Sequence, residues 1–210
     1  MKNVKCIFFD IGYTLINEDD VWQQRCLQQS QMENAKTLRI SPNEIYNEVI
    51  QASIAYQPQY STVVNKFGFT NSAPYDYNLE KLYDNANLIL QTLSQKYKLG
   101  IIANQSNGLT GRLSEWGILK YFSFIISSWD YKVMKPDIKL FEIAVEKSGY
   151  NVSEIIMVGD RLDNDIFPAK QIGMKTIWIK QGFGGMQTPK SYEYIPDIEI
   201  SQLNDLLYIL

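Results

Sequence analysis

Cys6-Ile7-Phe8-Phe9-Asp10-Ile11-Gly12-Tyr13-Thr14-Leu15 is the stretch that decides how this chain folds. An apolar, β-forming run ends in an aspartate and gives way at once to a tight polar turn. A lone aspartate after a strand is often only a turn residue or a helix cap. Here Gly12 and Thr14 follow it, and polar groups recur at the ends of later strands.

Reading outward, short β-rich runs occupy Val4–Asp10, Leu99–Ala103, Phe122–Ser127, Ile155–Asp160 and Thr176–Lys180. Helical patterns lie between the later ones. Leu109 to Trp116 is stopped by Gly117, Ile138 to Ser148 by Gly149, and Asp165 to Ile172 by Gly173. Leu140, Phe141, Ala144 and Val145 form the apolar stripe of the second helix. Ile198–Ser201 reads as a last short strand and Gln202–Leu210 as a closing helix. This alternation predicts an α/β fold, a doubly wound parallel sheet with helices on both faces. Residues 17–83 break the pattern. They are helical, rich in Gln, Asn and Tyr, and carry a helix start at Ser41-Pro42-Asn43-Glu44, where Ser41 and Glu44 suit a capping box. The expected organisation is a core of residues 1–16 and 84–210 with a helical insert at 17–83.

Composition narrows the function. A formal charge of −3 with no basic run argues against a general binder of nucleic acid or anionic membrane. The apolar run near the N-terminus is too short to span a bilayer and lacks a signal-peptide pattern. Cys6 and Cys26 read as reduced thiols of a cytoplasmic protein. With no histidine in the chain, a histidine base or imidazole metal ligand is excluded. Catalysis must rest on carboxylates, lysine, hydroxyls, backbone groups or a metal held by oxygen.

In an open parallel sheet, ligands sit beyond the carboxyl ends of the strands. Asp10, Asn104 and Asp160 fall at such ends, and Lys135 lies between the third strand and its helix. Several acids crowd the turn Gly159-Asp160-Arg161-Leu162-Asp163-Asn164-Asp165. They fit either a solvated helix N-terminus, favoured by the dipole, or a magnesium site.

These four segments resemble the motifs of the haloacid dehalogenase (HAD) superfamily: an apolar strand with Asp-x-Asp-Gly-Thr-Leu, a second strand ending in a hydroxyl residue, Lys-Pro-Asp, and Gly-Asp with a later Asp. The resemblance covers the core, about two-thirds of the chain, and the insert resembles the helical cap of the phosphatase-like and dehalogenase-like branch. It implies a hydrolase acting on a small phosphorylated substrate, with Asp10 as nucleophile and Lys135 as the cation that neutralises nucleophile and phosphate. It implies phosphate contacts from Thr14, Asn104 and Lys135. It also implies a Mg2+ ion held by Asp10, the Gly12 carbonyl, Asp160 and Asp165, with Asp165 either a ligand or one shell removed and Asp163 a spacer.

The chain departs from the family's pattern in three places. Gly12 stands where its phosphatases carry the general acid/base, Ala103 where they carry serine or threonine, and Tyr13 where glycine is common. Ser106 is a candidate to replace the hydroxyl. Tyr13 either packs under the cap or lines the pocket. Trp22, Gln23, Arg25, Tyr56 and Tyr60 either build the insert's own core or face substrate, Arg25 being the best second anion contact. Gly182-Phe183-Gly184-Gly185 is a turn or a phosphate cradle. Losing a general acid typically costs about 10²–10⁴ in rate. Three readings therefore stay open: a phosphatase that finds its proton elsewhere, a dehalogenase whose halide leaves without one, and a binding or regulatory module. A mutase is disfavoured, because shuttling phosphate needs an acid/base in both directions.

Overall fold

A computed structural model describes residue 1 and residues 3–210. Its strands are β1 (Cys6–Phe9), β2 (Ile16–Asn17), β3 (Lys81–Leu82), β4 (Lys98–Ala103), β5 (Phe122–Ser127), β6 (Ile155–Gly159), β7 (Lys175–Ile179) and β8 (Ile198–Ile200). Its helices are α1 (Asp19–Ser30), α2 (Glu33–Thr37), α3 (Pro42–Ile54), α4 (Gln59–Phe67), α5 (Ala86–Ser94), α6 (Leu109–Glu115), α7 (Ser128–Tyr131), α8 (Ile138–Ser148), α9 (Phe167–Gln171) and α10 (Leu206–Ile209). One parallel sheet runs in the order β5-β4-β1-β6-β7-β8.

Period-two alternation explains why β1 sits at the centre. Ile7 and Phe9 pack on one face against Ile89 and Leu90 of α5 and Leu113 of α6. Cys6 and Phe8 pack on the other against Leu140, Phe141 and Ala144 of α8. All four β1 side chains are sealed from solvent. Full burial of each of the larger ones contributes about 1.5–3 kcal/mol, so the strand is pinned from both sides. Helix α8 has the ends its sequence dictates. Asp137 accepts from the Lys139 N–H at 2.9 Å, and Gly149 closes it with φ of 70°.

From β1 the chain moves outward through β4 and β5, then returns to place β6 on β1's other side. The order reverses between β1 and β6, and the crevice beyond their carboxyl ends is where a ligand belongs.

Helices α1 to α4 gather around Trp22, Cys26, Ile45, Val49 and Val63. A buried amide ties their connections together: Gln29 Oε1 accepts from the Tyr60 hydroxyl at 2.7 Å and the Ala73 N–H at 2.8 Å, and its Nε2 donates to the Asn71 carbonyl. The capping box at Ser41 and Glu44 is formed. Ile16 pairs with Leu82 and Asn17 with Lys81 in an antiparallel ribbon at the base of this segment, which the sequence reading did not anticipate.

Two helices differ from expectation. Asp165–Ile172 is not one helix. A wide turn at Leu162–Ile166, with the Ile166 N–H on the Arg161 carbonyl, precedes α9. Pro168 lacks the N–H that a continuous α-helix would need there. The closing segment is a 3₁₀ turn at Leu203–Asp205 leading into the short α10. Cys6 and Cys26 are buried free thiols. Among the described residues, no helix is long and apolar enough to cross a membrane.

Candidate active site

A cleft of about 360 Å³ opens at the β1–β6 reversal. Asp10 enters it from the end of β1, Asp160 from the end of β6, Asp165 from the wide turn and Lys135 from the segment before α8. One oxygen from each of the three aspartates lies within 4.8 Å of the others. Lys135 Nζ stands 2.5 Å from Asp10 Oδ1 and 2.6 Å from Asp165 Oδ1. Its main chain is clasped by Asn104, whose Oδ1 accepts from the Lys135 N–H at 2.7 Å while its Nδ2 donates to the Lys135 carbonyl at 2.9 Å.

Two glycines make room for the acids. A Cβ on Gly159 would lie 2.5 Å from Asp165 Oδ2, and one on Gly184 would lie 2.4 Å from Asp160 Oδ2. With Gly159 bare, Asp165 folds back so that its Oδ2 accepts from the Arg161 N–H at 3.0 Å. The glycine before Asp160 is therefore a packing requirement of this turn.

The electrostatics follow from burial. Burial pulls the Lys135 ammonium down, but Asp10 and Asp165 overcome it and hold its pKa above the ordinary value. Burial, reinforced by Asp165 and Asp10, pushes the Asp160 carboxyl well up. Burial raises Asp165 to about 6 against the pull of Lys135. The Arg161 guanidinium pulls against the rise of Asp160 only in part, because it is forked onto Asp163 at 3.0 and 2.6 Å. Three carboxylates facing one ammonium leave negative charge uncompensated. Hard oxygen donors with surplus negative charge fit a divalent cation such as magnesium. Both Asp165 oxygens are engaged, by Lys135 and by the Arg161 N–H.

The remaining expected residues fall as follows. Gly12 and Asn104 line the cleft. Thr14 does not: its side chain is fully buried, and its Oγ1 has no hydrogen-bond partner. The expectation that Thr14 contacts phosphate is therefore corrected, because the turn that follows Asp10 points it into the protein. Ser106 does not replace the lost hydroxyl either. Its Oγ donates to the Tyr77 hydroxyl at 2.6 Å and lies off the cleft lining. Asp163 serves Arg161, in keeping with a spacer.

Tyr13 does both things expected of it. It lines the cleft and packs against Phe183, with ring centroids 5.1 Å apart. Its φ of 49° lies where glycine is at ease. Gly182 admits the ring, since a Cβ there would come within 2.0 Å of it. That glycine loop thus seats Tyr13 and the Asp160 carboxylate. Trp22 and Arg25 reach the cleft, with the guanidinium 3.4 Å from the Tyr60 ring centroid. Tyr60 itself belongs to the helical segment's core, Gln23 is exposed, and Tyr56 donates to the Thr188 carbonyl.

Sequence reading missed Glu18, Tyr75 and Tyr77, which also line the cleft. Glu18 Oε1 lies 2.7 Å from the Tyr75 hydroxyl, and Oε2 accepts from Trp22 Nε1 at 3.1 Å. In sequence Glu18-Asp19-Asp20 looks like ordinary acids at a helix start. Nothing local marks the first as different.

The family profile of haloacid dehalogenase-like hydrolases matches residues 7–179. The chain belongs to that family of hydrolases. A glyceraldehyde 3-phosphate phosphatase of Pyrococcus furiosus is 25% identical, with alignment over 100% of this chain and 94% of that protein. One from Methanopyrus kandleri is 32% identical over 58% of this chain. The chain spans about half the length of that relative, 53%. Among solved structures, a HAD phosphatase from Thermococcus onnurineus superposes with a TM-score of 0.71 at 26% identity, over 98% of this chain and 97% of the other.

Proposed function

We propose that this protein is a magnesium-dependent phosphatase of small phosphate monoesters. The observation that carries the reading is the Lys135 ammonium seated between Asp10 and Asp165, with Asp160 alongside, at the topological switch point. A carboxylate held this way is positioned to attack phosphorus, and an ammonium beside it neutralises both nucleophile and phosphate. Lys135 occupies Asp10 Oδ1, so Oδ2 is the attacking oxygen. The P–O ester bond breaks as the Asp10–P bond forms, and water then releases phosphate and restores the carboxylate. Asp10 and Asp160 would hold the ion, which when bound supplies positive charge to the phosphate oxygens. Asp165 orients Lys135.

Residues 17–83 act in this reading as a cap over the cleft, contributing Arg25 and Trp22 to the leaving-group side. A cleft of about 360 Å³ suits a small molecule. Relatives described as glyceraldehyde 3-phosphate phosphatases support a small phosphorylated metabolite as substrate class. The test is phosphate release from p-nitrophenyl phosphate, with and without magnesium, for the natural protein and for Asp10→Asn. Magnesium-dependent release that Asp10→Asn abolishes is expected. Release that survives Asp10→Asn refutes the nucleophile.

A further inference from the structure

Gly12 carries no carboxyl, yet a carboxyl is present where its side chain would go. A Cβ built on Gly12 would lie 2.6 Å from Glu18 Oε1 and 3.2 Å from Oε2. Both residues line the cleft that holds Asp10. The Glu18 carboxyl thus occupies the space where a side chain at position 12 would begin. Glu18 is also the residue that caps the start of α1, but its side chain makes no capping hydrogen bond. An acid at a helix start is ordinarily explained by capping, and this one is turned into the cleft instead.

We infer that Glu18 is the general acid/base of this enzyme, supplied from the start of α1 in place of the acid missing at position 12. The inference rests on the phosphatase reading above. Its surroundings say where the proton sits. Tyr75 has one hydroxyl hydrogen and two carboxyl neighbours, Glu18 Oε1 at 2.7 Å and Glu80 Oε1 at 3.0 Å. Glu80 has a counter-charge, Arg112 Nε at 3.2 Å from its Oε2, and among the described residues Glu18 has no cation that close. One hydroxyl hydrogen cannot serve both carboxyls, so the Tyr75 hydrogen goes to the charged Glu80 and a proton sits on Glu18, shared toward the Tyr75 oxygen. Trp22 donates to Glu18 Oε2 and fixes the carboxyl plane. Burial pushes the Glu18 carboxyl up as well.

The proton account closes over both steps. As Asp10 Oδ2 bonds to phosphorus and the ester P–O bond breaks, the leaving oxygen takes the Glu18 proton and departs as the alcohol. Glu18, now a carboxylate, takes a proton from the water that attacks the aspartyl phosphate. The Asp10–P bond breaks, phosphate leaves, and Glu18 is protonated again. Tyr13 is not the donor, because burial beside Asp19 and Glu18 drives its phenol further from acidity.

The test is leaving-group dependence with magnesium present. Rates of p-nitrophenyl, p-chlorophenyl and phenyl phosphate hydrolysis are compared for the natural protein, Glu18→Gln and the double variant Gly12→Asp with Glu18→Ala. A protonated leaving group makes the natural protein nearly indifferent to the ester. Glu18→Gln keeps the hydrogen-bonding shape, and is expected to lose about 10²–10⁴-fold on phenyl phosphate and far less in the first release of p-nitrophenol. A burst of that phenol should precede slow turnover, because the aspartyl phosphate then lacks its base. The double variant removes the same carboxyl and restores one on the nucleophile's loop, so it should recover phenyl phosphate hydrolysis over Glu18→Gln. It also decides the matter if Glu18→Gln fails to fold. Equal losses on all three esters, or no loss, overturn the role of Glu18 while leaving the phosphatase reading intact. No release by the natural protein from any of them overturns both.

Discussion

Replacing Lys135 by methionine keeps the buried stem and removes the charge. Asp10 and Asp165 then face each other without the ammonium that now sits 2.5 and 2.6 Å from them. Removing one member of a buried ion pair costs about 3–5 kcal/mol, because the partner is left charged and unpaired. At roughly 2–4 °C per kcal/mol for a domain of this size, the melting temperature should fall by on the order of 6–20 °C in chelator. The pH dependence has a definite sign. Burial raises Asp165 to about 6 even with Lys135 present, against about 3.9 when unfolded. A raised carboxyl favours the fold below the unfolded value and loses that advantage as pH rises through the folded value. Without Lys135 the Asp165 carboxyl rises further, so the deficit of Lys135→Met should be large at pH 8 and shrink toward pH 5 as it takes up a proton. Magnesium should stabilise the variant more than the natural protein, since the ion becomes the cluster's main counter-charge. Thermal unfolding followed by circular dichroism, in chelator and in magnesium, measures all three. A variant that melts within about 2 °C of the natural protein in chelator at pH 8 would mean that the carboxylates are not charged and desolvated in the way argued here, since it corresponds to under roughly 1 kcal/mol.

Gly182→Ala drives a methyl to within 2.0 Å of the Tyr13 ring at a residue with φ of 54°. Overpacking of this kind costs about 1–3 kcal/mol, which a urea denaturation midpoint would register, while a larger glycine-free loop that keeps its midpoint would show that the ring has room to move. The thiols should be inert in the native state. Burial pushes Cys26 up to about 11 and Cys6 up to about 12, so at pH 8 a thiol reagent should titrate neither until denaturant is added, and rapid native labelling of Cys26 would show that the core of α1 to α4 opens.

The core of the fold was legible because its signals are local and repeated. The alternation in Cys6–Phe9 sends successive side chains to opposite helical layers, and α8 begins after Asp137 and ends at Gly149 as its capping residues dictate. The β2–β3 ribbon was not legible, since two-residue strands leave no periodicity to read. The break before α9 turns on Pro168, which has no N–H to continue a helix from the preceding turn. At the site, Asp10 and Asp160 could be named because each follows a strand of the alternation, whereas Lys135 and Asp165 could be named only through the family's motifs. Thr14 could not be placed correctly, because its direction depends on the turn's geometry and not on its identity. Glu18 was invisible for a different reason. Its partners include Tyr75, 57 residues away, and the space it fills is defined by a side chain that Gly12 does not have.

The departures from the family's pattern are not equivalent losses. At position 13 a tyrosine takes a glycine-like backbone, and Gly182 gives up the volume its ring needs. At position 12 a glycine takes the place of an acid, and the Glu18 carboxyl stands where that residue's side chain would begin. Each is one half of an exchange across the cleft. A carboxyl at both 12 and 18 would bring two acids into one site, where the 2.6 Å approach would displace the Glu18 carboxyl and their mutual repulsion would favour protonating one of them. Ala103 has no such counterpart, since Ser106 is engaged with Tyr77 and Thr14 is sealed inside. The phosphate of a bound substrate must then lean more on Lys135 and the main chain around Asn104 than a hydroxyl-bearing site would require. Moving the acid also changes what holds it. A side chain at position 12 would be fixed by the nucleophile's own loop, whereas Glu18 is braced by Trp22 and Tyr75, which belong to the cleft wall. The proton donor and that wall are therefore one unit, and whatever positions α1 over Asp10 also positions the acid.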